Sequence, residues 1–360
     1  MALLTSEGFG WTTVFADLQT YGAWSADTSQ RDGTPTGTIG TAGPSGDNYL
    51  TLTTGTGLNA LVRYTPIPIS TFFFGCRVNP HTLANQPFIF FDSAGGRQLG
   101  FVITPSGAIQ AILGPGSTGY WYDGGTVLGT STAGAVAAGS WTYLEIGGTI
   151  ATGTGGSLTI RSAGTSVLSL TGITTQQTAN ANVQGFGLAA STYGSPSSAD
   201  SVSLAHVSVC DNTTALNNTF LGDTRVYTKM MTANSTVQFT PNGNVNNYQN
   251  AAQVPPNPTT DYNSDSTVGN QDTFTGAALP AGYNYVAGVV LKTVSKEDTA
   301  GTRALKSVVV SGATTAYGTS RGLGTSATQT MDVFQADPNT NALWTVAAVN
   351  ASQTGYNVSA

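Results

Sequence analysis

Binding a sugar needs an aromatic plane for stacking beside carboxylate or amide groups that read hydroxyls. Tyr120, Trp121, Tyr122 and Asp123 supply both at one hairpin tip, because Asp123-Gly124 suits the positive φ of a tight turn and Thr126-Val127-Leu128 returns the chain. The same residues admit another reading, with Trp121 facing a core and the tyrosines packed on a neighbouring subunit. Hydrolysing a glycosidic bond instead needs two carboxylates flanking it. Glu7, Glu145 and Glu297 are the only glutamates, and none stands within a few residues of another acid on the same strand face. Asp123 with Glu145, across strands, is the one conceivable pair, and the expectation is no catalytic residue and no enzyme.

Other chemistry finds less. His81 and His206 are far apart in sequence, and neither has a cysteine or histidine at ligand spacing, so no zinc site is expected. There is no G-x-S-x-G, and nothing in the sequence joins a serine to either histidine. Asp261-Tyr262-Asn263-Ser264-Asp265 is rich in oxygen but lacks the register of a dedicated calcium loop; turn formation accounts for it. No metal and no cofactor are expected. Cys76 and Cys210 each sit inside an apolar strand and read as buried free thiols.

The elements that must position these residues are strands. Charged residues make up 8% of the chain, with Gly, Ser and Thr in their place, and short apolar runs alternate with turn residues. The 360 residues suffice for two domains with separate cores. A net charge of −6, with no lysine before Lys229, excludes a phosphate-binding stripe and hence nucleic acid as partner. No apolar stretch approaches a membrane span, and the N-terminus lacks the basic region of a signal peptide, so synthesis in a cytoplasm is expected.

From Asn48 the strands recur about every ten residues, as in an antiparallel sandwich or jelly roll. Ser140-Trp141-Thr142-Tyr143-Leu144-Glu145-Ile146 alternates, placing Trp141, Tyr143 and Glu145 on one face and Leu144 and Ile146 on the other. The opening segment, residues 9–15, is expected to close on residues 201–210. Three domains follow: a sandwich over 1–212, hinge strands and an extended Pro/Asn-rich segment over 213–275, and a smaller β-domain over 276–360. In the hinge, strands are expected at 224–231 and 237–240, with a turn at Ala233-Asn234. Residues 242–271 carry few aliphatic side chains and several prolines, so their order is expected to come from another subunit, through Tyr248, Val254, Pro255, Pro256 and Pro258. Near the C-terminus, Leu343, Val346 and Val349 mark one short helix, with Asp337-Pro338-Asn339 offering its cap and Gly355 its stop.

Gly222-Asp223-Thr224-Arg225-Val226, Asn247-Tyr248-Gln249-Asn250, Val254-Pro255-Pro256 and Asp272-Thr273-Phe274 resemble a segment recurring in virion structural proteins of tailed bacteriophages. The likeness continues through Asp298-Thr299-Ala300-Gly301-Thr302-Arg303 and the run from Asp337 to Thr345. The pattern W-x-Y-L-E-I and the strands after it resemble the second half of concanavalin A-like and laminin-G-like domains. The resemblance implies an all-β chain: an N-terminal concanavalin A-like jelly-roll sandwich, then a smaller C-terminal β-domain with one short helix. It also implies a non-enzymatic virion protein on tail or capsid, with other virion proteins as partners, a homo-oligomer with a trimer preferred, and host surface glycan as a candidate ligand. A capsid decoration or cement protein is the alternative, and a glycan hydrolase is disfavoured by the carboxylate spacing.

Overall fold

The computed structural model describes residues 3–22, 24–26, 36–44, 47–53, 59–83, 85–114, 125–190 and 201–360. The chain forms two compact units, Met1–Phe9 with Trp24–Val226, and Gly10–Ala23 with Tyr227–Ala360. These bounds differ from the sequence reading. Residues 213–226 stay with the sandwich, the rest of the 213–275 stretch belongs to the C-terminal unit, and so do residues 10–23.

The first unit is a jelly-roll sandwich of the concanavalin A-like type, made of two antiparallel sheets. One runs Thr165–Ile173, Gly156–Ser162, Thr142–Thr149, Thr71–Pro80, Ser201–Asp211, Tyr49–Thr53, Thr36–Gly40, with Leu3–Glu7 also paired to Ser201–Asp211. The other runs Thr126–Thr130, Ile109–Leu113, Arg97–Ile103, Asn85–Phe91, Val183–Ala190, Asn59–Ile69, Ser25–Ala26. Alternation fixes the faces: Phe72, Phe74 and Val78 turn inward and are fully buried or nearly so, as are Leu144 and Ile146 one strand over. Phe74 and Phe90 meet Phe186 with ring centroids 5.9 and 4.9 Å apart, and Phe88 and Phe101 extend the cluster.

The opening segment does close on the last strand, but through Leu3–Glu7, opposite Cys210 to Val207. Residues 10–23 contribute a helical turn, Asp17–Thr20, to the other unit instead, where the Gln329 amide donates to the Tyr21 carbonyl. Few aliphatic side chains mark that stretch, so no period pins it to a sheet.

The second unit is built on an antiparallel sheet in the order Met231–Thr236, Gln271–Gly276, Gln353–Val358, Ala304–Ser311, Thr314–Tyr317, with Arg321–Gly322 beside Ala304–Ser311. Two ribbons accompany it, Thr240–Asn242 with Tyr262–Ser264 and Val289–Ser295 with Thr328–Phe334. The strands expected at 224–231 and 237–240 are displaced: pairing begins only at Met231, runs through Ala233-Asn234, and breaks register there. The helix Val346–Ala351 is present, capped by the Thr345 hydroxyl rather than by Asp337, which closes its own turn on the Asn339 amide. It stops at Ser352, and Gly355 lies within the final strand, where a Cβ would stand 1.9 Å from the Asp272 carbonyl oxygen. A further helical turn, Asn247–Ala251, brings the short helices of this unit beyond the one expected. Trp344 anchors the core with Val309 and Val349, its indole N–H donating to the Phe334 carbonyl at 2.8 Å.

Candidate functional site

The outer face of the eight-stranded sheet gathers the chemistry-bearing side chains of the first unit. Register places Tyr143 opposite Arg77, Glu145 opposite both Gly75 and Arg161, and Gly147 opposite Phe73. Since directly opposed residues share a face, all of these point away from the phenylalanine core. Ser208 joins them opposite Gly75.

Residues 220–226 lie across this face as a strap. Phe220 packs edge-on against Phe73 at 5.1 Å, under the Arg161 guanidinium 4.1 Å from its ring centre. The approach needs Gly147, where a Cβ would fall 2.6 Å from the Phe220 ring. The Gly222 amide donates to Glu145 Oε1 at 2.8 Å, and the hydroxyls of Tyr143 and Thr224 are 3.1 Å apart. Asp223 takes a two-pronged ion pair from Arg77, and the Val226 amide donates to His206 Nδ1 at 3.2 Å. About 10 Å³ of space remains between Phe73, Gly75, Tyr143, Glu145, Ser208, Phe220 and Leu221. That holds one water and no sugar ring.

Burial sets the electrostatics here. It raises the Glu145 carboxyl above the ordinary carboxylate range, against the amide of Gly222 and the charge of Arg161, which lower it. The Tyr143 phenol is likewise pushed up by burial. His206 is fully buried at a bulge, with φ 54°, and burial together with Arg77 and Arg225 lowers it to about 4. Asp47 Oδ2 stands 3.8 Å from its Nε2.

The remaining glutamates are also committed to the fold. Glu7 accepts from the Phe9 amide, Trp24 Nε1 and Arg63 Nη1 at 2.8, 3.4 and 3.1 Å, and Glu297 accepts from the Gly301 amide at 3.0 Å. Asp92, Asp272 and Asp332 similarly staple loops through backbone and side-chain donors. In the oxygen-rich stretch, Asp261 takes the amides of Gln253 and Asn257, and Asp265 those of Thr267 and Asn270.

Of the residues proposed from sequence, Tyr120, Trp121, Tyr122 and Asp123 lie outside the described residues, so the Asp123–Glu145 pair does too. Tyr248, Val254, Pro255, Pro256 and Pro258 are half-buried on their own chain, where the Tyr248 amide donates to Asn234 and the Pro256 carbonyl accepts from Tyr21. The order of residues 242–271 has an internal source: Asn247, Asn250 and Asn263 bond to backbone carbonyls and to one another across the turn, and Asn263 also donates to the Tyr356 hydroxyl at 2.6 Å. These amide side chains give the segment an internal source of order, beside the contact with a neighbouring subunit expected through Tyr248, Val254, Pro255, Pro256 and Pro258. One histidine is joined to serines after all, with Ser201 and Ser203 hydroxyls 2.7 and 3.0 Å from the His81 ring nitrogens. Both nitrogens are thereby taken by hydroxyls, leaving none for the orienting carboxylate of a serine triad. The sequence drew attention to Gly222-Asp223-Thr224-Arg225-Val226 through resemblance alone; its partners His206 and Asp47 carry no local signal.

No protein-family model matches this sequence, and a search of curated proteins returns no relative. Among solved structures, the chain is similar to an endo-β-1,4-glucuronan lyase from the fungus Trichoderma reesei at 13% identity and a TM-score of 0.40, over 52% of this chain and 91% of that one. It is also similar to a carbohydrate esterase from the Shiga toxin-encoding bacteriophage phi24B at 12% identity and a TM-score of 0.39, over 58% and 97%. An alginate lyase from Chlorella virus aligns at 13% identity and a TM-score of 0.35, over 57% and 100%. These are likenesses of fold. The strand order itself defines an all-β chain with a jelly-roll sandwich and an additional β-unit.

Proposed function

We propose that this chain is a non-enzymatic structural protein of a bacteriophage virion, displayed on tail or capsid, whose sandwich contacts host glycan through Tyr120, Trp121, Tyr122 and Asp123. The observation that carries the non-enzymatic part is the strap. It fills the sheet face on which Glu145 and Tyr143 project, and Glu7 and Glu297 are each buried and bonded to backbone amides. Carboxylates spent on stapling loops cannot flank a bond in a substrate. The virion assignment and a homo-oligomeric state, a trimer by preference, rest on the sequence resemblance.

Incubation with uronate-containing and neutral polysaccharides is expected to release neither reducing nor unsaturated ends, in the wild type or in Glu145→Gln. Product formation that Glu145→Gln abolishes while the fold is retained would overturn the non-enzymatic reading. On immobilised host-surface glycans, Trp121→Ala is expected to weaken binding about tenfold or more, the loss of one stacking plane. Wild-type binding to none of them would remove the glycan part.

A second reading, a decoration protein on the capsid, is favoured by apolar side chains left in water on the second unit: Val245 is 86% exposed, Val268 61% and Val237 48%. Labelled chain imaged on the particle separates the two.

A further inference from the structure

We propose that residues 220–226 form an acid-releasable latch on the outer face of the eight-stranded sheet, with His206 as its sensor. The latch has a defined set of clips: Phe220 on Phe73, the Gly222 amide on Glu145, Asp223 on Arg77, Thr224 on Tyr143 and the Val226 amide on His206. Only the last requires a side chain to stay uncharged.

The Val226 N–H donates to Nδ1, so this nitrogen must present a lone pair and the ring proton must sit on Nε2. Protonating Nδ1 sets one N–H against another. It also places a cation within a cage whose other charges are Arg77 from the neighbouring strand, Asp223 and Arg225 from the strap, and Asp47 from the loop before Tyr49. Asp47 Oδ2, at 3.8 Å, is too far to hydrogen-bond the Nε2 proton, and burial raises its own carboxyl, so it compensates weakly. Glu145, whose Oε1 accepts from Gly222, is not among the charges that act on the ring. The bulge with φ 54° is what aims the imidazole at the strap, and histidine is among the residues that tolerate that backbone.

The sign follows from linkage. In the closed latch the imidazole titrates at about 4, and in the released chain at its ordinary 6.5. Above 6.5 the stabilisation is fully present; as pH falls towards 4 the released state binds a proton that the closed state refuses, and the stabilisation is lost. Over that interval the open-to-closed ratio rises about 80-fold, towards a limit of about 300-fold at lower pH. Glu145 and Asp47 act in the opposite sense, because their raised carboxyls favour the closed state as pH falls, so removing Glu145 sharpens the response. Release uncovers a polar strip of Arg77, Tyr143, Glu145 and Arg161.

The test is amide hydrogen exchange on the full chain, corrected for intrinsic rates, at Gly222 and Val226 between neutral pH and pH near 4. Wild type is expected to lose protection at both amides by one to two decades on acidification, about what the linkage allows, while Thr71–Pro80 and Thr142–Thr149 stay protected. His206→Gln, a neutral acceptor, should flatten the dependence; Glu145→Gln should keep or steepen it. Arg225→Gln removes one of the cations facing the ring and should shrink it, which tests the idea should His206→Gln not fold. Equal protection at both pH values in wild type, an unchanged response in Arg225→Gln, or loss only together with the inner strands would overturn the proposal.

Discussion

Glu7→Gln is expected to destabilise the sandwich by about 3–5 kcal/mol, the cost of breaking a buried ion pair. Glu7 is 1% exposed and Arg63 7%, and the carboxylate also receives the Phe9 amide and the Trp24 indole. Glutamine keeps an acceptor for the amide but removes the charge that Glu7 sets against burial, which holds the Arg63 guanidinium below its ordinary range. The same guanidinium lies 5.8 Å from the Trp24 ring centre. For a unit of this size the thermal midpoint should fall by about 10 °C or more. The double variant Glu7→Leu/Arg63→Met should recover much of the loss, since replacing both partners of a buried pair by apolar groups is often nearly neutral. Calorimetry on the three chains decides it; a single variant within 1 °C of wild type would show the pair to be solvated, roughly as surface pairs are.

What the sequence encodes legibly is facing. Alternation in residues 140–146 places Glu145 and Tyr143 on one face and Leu144 and Ile146 on the other, and the structure agrees. The pairing of 126–130 with 109–113 is not read from the sequence, which makes 126–128 the return of a hairpin from 120–122. Period two says which side of a strand a residue takes but not what covers that side. The strap is therefore hidden: residues 224–230 alternate well enough to read as a strand, yet the Val226 amide bonds to His206 and the stretch joins no ladder. Likewise the register shift between Ala205 and Ser208 lies inside one continuous strand with no turn residue to mark it. Residues 10–23 lack both a period and a turn signal strong enough to say which core they serve. In the second unit the prolines of 254–258 were read as incompatible with a self-supporting segment. The order there comes from asparagine side chains whose partners lie up to 93 residues away, beyond the reach of any local rule.

Asp272→Ala should be the most damaging single change in the second unit, costing about 3–5 kcal/mol as the buried Phe239 amide and Asn247 and the part-buried Gln238 amide lose a shared acceptor. Asp272 is fully buried; Oδ1 accepts from the Gln238 and Phe239 amides at 2.7 and 3.0 Å, and Oδ2 from Asn247 at 2.6 Å. Through Asn247, whose amide also reaches the Phe239 carbonyl, the carboxylate ties the Gln271–Gly276 strand to the turn that begins residues 242–271. Asp272→Asn keeps an acceptor for the two backbone amides but opposes one amide group to another at Asn247, so its cost should be intermediate, and Asn247→Ala smaller still. Deleting residues 254–258 removes the Asn257 bonds to Thr260 and Asp261 and the Pro256 acceptor of Tyr21 but leaves the Asp272 cluster, so it should cost the unit less than Asp272→Ala while leaving the sandwich folded. Paired thermal unfolding and sedimentation on these chains separate two causes of order. If the deletion lowers the oligomeric state with little loss of unit stability, Val254, Pro255, Pro256 and Pro258 serve contact between subunits. If Asp272→Ala leaves the unit as stable as wild type, the asparagine network is not what orders the segment, and an external partner must be.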